Sequence, residues 1–196
     1  MPNKDALDLM IEEYKSLRDE ISKTLVNRLT IISLGLVAVG ALIGFAAKNP
    51  DGESTIISAL VLGIMVPATA FMAVFLWISE VRRGRRASWY LWGLERRINK
   101  ELGKRVLRWE EDIRPPEASK LLRLFRGHYY VIILFFTVIG GGSAYFGSVA
   151  LNLSTCLSFL WAAAVTAAML AIFIPECIRL SGYDKPDSNW PERLTD

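Results

Sequence analysis

Glu80-Val81-Arg82-Arg83-Gly84-Arg85-Arg86-Ala87-Ser88-Trp89-Tyr90-Leu91-Trp92 opens the segment that decides how this chain reads. From Glu80 to Tyr130 the segment holds fourteen of the 23 Lys and Arg residues and seven acids, a balance of about +7. Long uncharged runs lie on either side of it. A cationic stretch between two apolar blocks reads as a cytoplasmic segment between two membrane hairpins. Its basic balance points to anionic lipid headgroups, and nucleic acid is disfavoured as a partner. Arg82, Arg83, Arg85 and Arg86 follow directly on the second apolar run, so they are the expected headgroup contacts. Trp89, Tyr90 and Trp92 suit the same boundary, where one ring edge is apolar and the other wet.

Working outward, Ser54 to Ser79 carries no charge for 26 residues and Leu29 to Ala47 none for nineteen. At 1.5 Å per residue, each is long enough to cross or nearly cross a hydrocarbon core of ~30 Å. Asn49-Pro50-Asp51-Gly52 between them has the composition of a tight turn. Pro67 removes a backbone donor inside the second run and predicts a kink. On the other side, Gly127 to Pro175 has no Asp, Glu, Lys or Arg, and Asn152 with Ser154-Thr155 marks a turn within it. Small residues crowd both halves of that stretch, including Gly140-Gly141-Gly142 and Ala162-Ala163-Ala164, and such faces pack closely in lipid. Gly40 and Gly44 form a further small-residue pair and are candidates for helix packing.

Two amphipathic stripes complete the pattern. Leu7, Met10, Ile11, Tyr14, Leu17, Ile21 and Leu25 recur every three or four positions, as do Leu91, Leu94, Ile98, Leu102, Val106, Trp109 and Ile113. Each stripe needs an apolar partner. Residues 1–24 carry four basic and six acidic groups, so the first stripe complements the cationic second one. Tyr14, Leu17, Ile98 and Leu102 are expected to pack together. Pro115-Pro116 is expected to break the second helix.

The resulting fold expectation is all-α: a polytopic helical membrane protein with four transmembrane helices in two hairpins plus cytoplasmic amphipathic helices. The divisions are an N-terminal amphipathic helix over 1–28, a first hairpin over 29–79, a basic cytoplasmic segment over 80–129, a second hairpin over 130–177 and a cytoplasmic tail over 178–196. This arrangement puts 22 of the 23 cations on the side of both termini and only Lys48 on the other. By the positive-inside rule both termini are then cytoplasmic.

Chemistry-bearing motifs are scarce. Glu110-Glu111-Asp112 has no His or nucleophile at motif spacing, and Cys156 and Cys177 read as packing residues. The expectation is no catalytic residue, no metal site and no cofactor. Glu13-Tyr14-Lys15-Ser16-Leu17-Arg18-Asp19-Glu20-Ile21, placed ahead of a first span, resembles the starts of small bacterial membrane proteins, and Arg86-Ala87-Ser88-Trp89-Tyr90-Leu91 is similar in kind. The resemblance implies a bacterial plasma membrane and implies no activity. The function expected is a non-enzymatic membrane protein that presents a cytoplasmic helical platform. Its partners are membrane lipids, with a homo-oligomer or a protein engaging the cytoplasmic helices. The alternative is an oligomeric ion channel or pore-forming effector, with Ser54, Ser58 and Thr69, or Ser143 and Ser148, as a modestly polar lining.

Overall fold

The computed structural model describes residues 4–48, 54–109 and 119–182. They form α1 (Lys4–Lys48), α2 (Ser54–Leu60), a π-helical turn (Val61–Met65), α3 (Val66–Glu101), α4 (Ser119–Ala150) and α5 (Thr155–Gly182). α2, the π turn and α3 are one uninterrupted helical run, so the described residues form four long helices. All four contain a stretch long and apolar enough to cross a membrane.

One expectation is overturned here. No separate cytoplasmic helices accompany the four among the described residues. The amphipathic stretches are the ends of the same helices: α1 runs unbroken through Arg28 and Leu29, and α3 through Ser79 and Glu80. The reason is local. Leu25-Val26-Asn27-Arg28-Leu29 contains no Pro or Gly stop signal, and backbone hydrogen bonding continues across a change of polarity. Polarity changes there, and helical geometry does not.

The second stripe is also shorter than its spacing predicts. α3 ends at Glu101, and Gly103 takes a left-handed φ of +62°. Its N–H reaches the Lys100 carbonyl at 3.2 Å, a glycine-terminated helix end. Val106 is consequently off the helix. Glu110 to Asp112, Pro115-Pro116, the turn over 49–53 and the tail from Tyr183 lie outside the described residues.

The chain divides into two compact units. Of the described residues, the polar unit takes 4–28, 79–109 and 119–125, and the apolar unit takes 29–48, 54–78 and 126–182.

Within the apolar unit, α4 crosses its neighbours at small residues. A Cβ at Gly147 would stand 2.6 Å from the Gly63 Cα and 2.8 Å from the Ala59 carbonyl oxygen, so backbone meets backbone. Phe136 and Phe173 are fully buried, and Phe173 lies against Phe71 with ring centroids 5.1 Å apart. Outward-facing Leu34, Val37, Phe75, Leu134, Val138, Phe159 and Leu160 are exposed, as lipid-facing side chains are.

The π turn follows from Pro67. Proline supplies no N–H to the carbonyl four residues back, Gly63, and its ring crowds that carbonyl. The helix widens instead, with the Val66 N–H bonding to Val61. The Trp161 indole N–H donates to the released Gly63 oxygen at 3.4 Å.

The turn between α4 and α5 falls where Asn152 and Ser154 place it. Asn152 is left-handed (φ 55°), and its N–H bonds to Val149 while that of Leu153 bonds to Ser148. This closes α4 in a Schellman arrangement. The Ser154 hydroxyl then accepts from the Leu157 N–H at 3.4 Å and starts α5.

Candidate functional site

The polar unit brings ionic side chains and several aromatic ones together along α1 and α3. Partners that ascend along α1 descend along α3. Glu13 meets Tyr90, Glu20 meets Arg83, and Arg28 meets Glu80 and Val81. The two helices are therefore antiparallel here.

Their seam is apolar at the centre. Tyr14, Leu91, Leu94 and Ile98 form a buried cluster, with Leu7, Met10, Leu17, Ile21, Leu102 and Leu107 packed against it. Of the stripe's remaining members, Val106 and Trp109 are about half exposed. Leu107 occupies the place the spacing predicts for Val106, because the chain has already left the helix.

A carboxylate sits inside this seam. Glu95 is only 2% exposed, and the Tyr14 hydroxyl donates to its Oε1 at 3.2 Å. A buried carboxylate is retained only where polar groups replace the water it loses. Sequence reading missed Glu95, although its spacing carries the signal: it lies four after Leu91 and three before Ile98, on the apolar face.

Nearer residue 28 the helices touch more closely. A Cβ at Gly84 would meet the Arg28 guanidinium and stand 2.8 Å from the Thr24 hydroxyl oxygen. Arg28 uses this gap to donate to the Glu80 and Val81 carbonyls at 3.3 and 3.4 Å. Thr24 is buried, its hydroxyl bonded to the Ile21 carbonyl at 2.8 Å.

At the rim, Arg83 Nε donates to Glu20 at 2.9 Å, and this hydrogen bond holds the guanidinium above its ordinary value. Tyr90 donates to Glu13 at 2.8 Å, which raises the phenol pKa, and partial burial adds to the rise. Arg96 lies over the Trp92 ring at 4.0 Å and Arg18 over Trp109 at 4.5 Å, both within cation–π range.

The proposed headgroup cluster is split by the helix. Arg82, Arg83 and Arg86 are exposed and Arg85 is half-buried. Gly40 and Gly44 are exposed with open space where a Cβ would stand, so no described residue of the chain approaches them closely. The hydroxyls suggested as a pore lining are mostly turned inward. Ser58, Ser143 and Ser148 are buried, and Thr69 bonds to the Met65 carbonyl. Among the described residues no group of three His, Cys, Asp or Glu side chains is placed to hold a metal.

The chain matches no family model, no curated protein and no solved structure in the comparisons made.

Proposed function

We propose that this chain is a non-enzymatic integral membrane protein that presents a paired-helix platform in the cytoplasm to a protein partner or a second copy. The observation that carries this reading is the α1–α3 seam: an apolar cluster closed by Tyr14 and Glu95 and rimmed by the Glu13–Tyr90 and Glu20–Arg83 pairs. A seam of this kind holds a fixed surface. The burial of Ser58, Ser143 and Ser148 favours this reading over a pore, because those hydroxyls are spent inside the packing.

The cation distribution supports a cytoplasmic location for the polar unit and both termini. The test is thiol labelling with a membrane-impermeant maleimide. Lys15→Cys and Arg86→Cys, both at exposed positions, are placed in a background with Cys156 and Cys177 replaced, and Cys156 is read separately in a chain that lacks only Cys177. They should label in inverted vesicles and stay unreacted in right-side-out ones. Cys156, exposed beside the α4–α5 turn, should show the opposite. Labelling of Lys15→Cys or Arg86→Cys from the outer face would defeat the reading.

A further inference from the structure

Within the polar unit, the sides of the helix pair turned away from the seam carry opposite charge. α1 turns Tyr14 into the seam and packs Leu7, Met10, Leu17 and Ile21 beside it. Asp8, Glu12, Lys15 and Asp19 recur at steps of four, three and four on the opposite side, and all four are exposed. α3 turns Leu91, Leu94 and Ile98 into the seam. Its opposite side runs Arg86, Trp89, Gly93, Arg96 and Lys100, with the three cations exposed. This basic stripe contains no carboxylate.

The two stripes are matched in height. Thr24 lies against Gly84, and Tyr14 meets Glu95. Counting in opposite directions from these contacts puts Asp8 level with Lys100, Glu12 with Arg96 and Lys15 with Gly93. Asp19 falls level with Trp89, less than one turn from Arg86. The cation inside the acidic stripe thus stands at the height where the basic stripe has no side chain. The match ends at Lys23, one turn beyond Asp19. Gly93 adds an independent observation. A glycine inside a helix lowers its stability relative to alanine, and a Cβ at Gly93 would meet nothing within 4 Å. No described residue of this chain therefore requires the missing side chain. At Gly84 and Gly147 a missing side chain admits a close neighbour. At Gly93 that neighbour comes from outside the chain.

We propose that the polar unit docks on a second copy of this chain, the acidic side of α1 in one copy lying on the basic side of α3 in the next. Complementary groups stand at equal heights in one chain, so a neighbour is reached by rotation about an axis parallel to the helix pair, without sliding. The two sides differ, so the contact is head to tail, and each copy keeps one side open until a ring closes. Exposed ion pairs add little affinity each and chiefly set partner and register. This association rests on the platform reading and makes a second copy the platform's partner.

The experiment is crosslinking between two full chains in liposomes, both lacking Cys156 and Cys177 and distinguished by different tags. One carries Asp19→Cys and the other Arg86→Cys, and a short bifunctional thiol reagent joins them. Mixed dimers should form about tenfold faster than dimers of either chain with its own kind, because only the mixed contact brings opposite charges together. Asp8→Lys with Glu12→Lys in the first chain should slow mixed crosslinking about tenfold, since like charges then face one another. Arg96→Glu with Lys100→Glu in the second chain should restore it to within about threefold of the parent. Gly93→Leu in the second chain should slow it about tenfold by filling the close approach. Salt at ~1 M, where the Debye length is about 3 Å, should slow the parent reaction severalfold. Equal rates for mixed and like dimers, no mixed dimer, or charge reversals without effect and without rescue would overturn the proposal. Crosslinking in cells only to chains other than this one would assign the face to another protein and overturn it as well. A Glu20→Cys to Arg83→Cys crosslink within one chain separates the two readings. Its loss in the parent defeats the platform, whereas its retention without mixed dimers defeats only the association.

Discussion

Ile98→Ala is the most informative single change in the seam. Ile98 is 1% exposed and belongs to the cluster with Tyr14, Leu91 and Leu94. Truncation removes three carbons, about 2.4 kcal/mol of transfer free energy at ~0.8 kcal/mol per methylene. The residual cavity raises the expected cost into the range of about 2–5 kcal/mol. At ~3 kcal/mol, the population in which α1 has left α3 rises roughly 150-fold, since each 1.4 kcal/mol is a factor of ten. Hydrogen exchange of the full chain in nanodiscs reads this directly. Amides over 7–21 should exchange about 100-fold faster in the variant, while those over 31–47 keep their parent rates. Unchanged exchange over 7–21 would refute the claim that this cluster holds the two helices together.

Other perturbations test separate parts of the account. Gly147→Ala should destabilise the apolar unit by about 1–3 kcal/mol, because the new methyl meets backbone that has nowhere to move, whereas Gly40→Ala should be tolerated; thermal unfolding in detergent compares them. Trp161→Phe should cost about 0.6 kcal/mol in the parent, a typical membrane hydrogen bond, and less in a Pro67→Ala background, where a restored N–H can serve Gly63; a double-mutant cycle measures the difference. The raised Tyr90 pKa means the folded state holds its proton more tightly than the unfolded chain. That contribution is fully present below pH ~10, the ordinary tyrosine value, and is lost as pH rises through the folded value. Tyr90→Phe should therefore flatten the alkaline loss of exchange protection over 7–21.

Most of the architecture was readable because period and polarity are local signals. The charge-free runs at 29–47 and 54–79 lie in long helices, and the run at 127–175 covers two more and the turn between them. Asn152 and Ser154 marked their turn through side-chain chemistry that acts within a few residues. Extra helices were wrongly inferred because a change from polar to apolar side chains was read as a change of element. Helix continuity at Arg28 and Ser79 depends on backbone sterics, which that change does not alter. Gly103 falls within the spacing that predicts a helix through Val106, yet it ends one. Whether such a glycine is interior or terminal is decided by what the following residues bond to. Here that is Asn99, a contact across seven or eight positions that spacing does not reveal. Glu95 is obscured for a related reason: a carboxylate ordinarily faces solvent, whereas its position on the apolar face and the reach of Tyr14 place it in the seam.

The pairing of α1 with α3 in the polar unit is the centre of this account, and distance measurement in the native membrane tests it most directly. Glu20→Cys and Arg83→Cys, whose parent side chains meet at 2.9 Å, are combined in a chain without Cys156 and Cys177, and treated in cells with a short membrane-permeant bifunctional thiol reagent. Glu13→Cys with Tyr90→Cys supplies a second register, and Glu13→Cys with Arg83→Cys a mismatched one. The account predicts efficient crosslinking within one chain for the two matched pairs and little for the mismatched pair. Equal yields for all three pairs, or none for either matched pair, would contradict it.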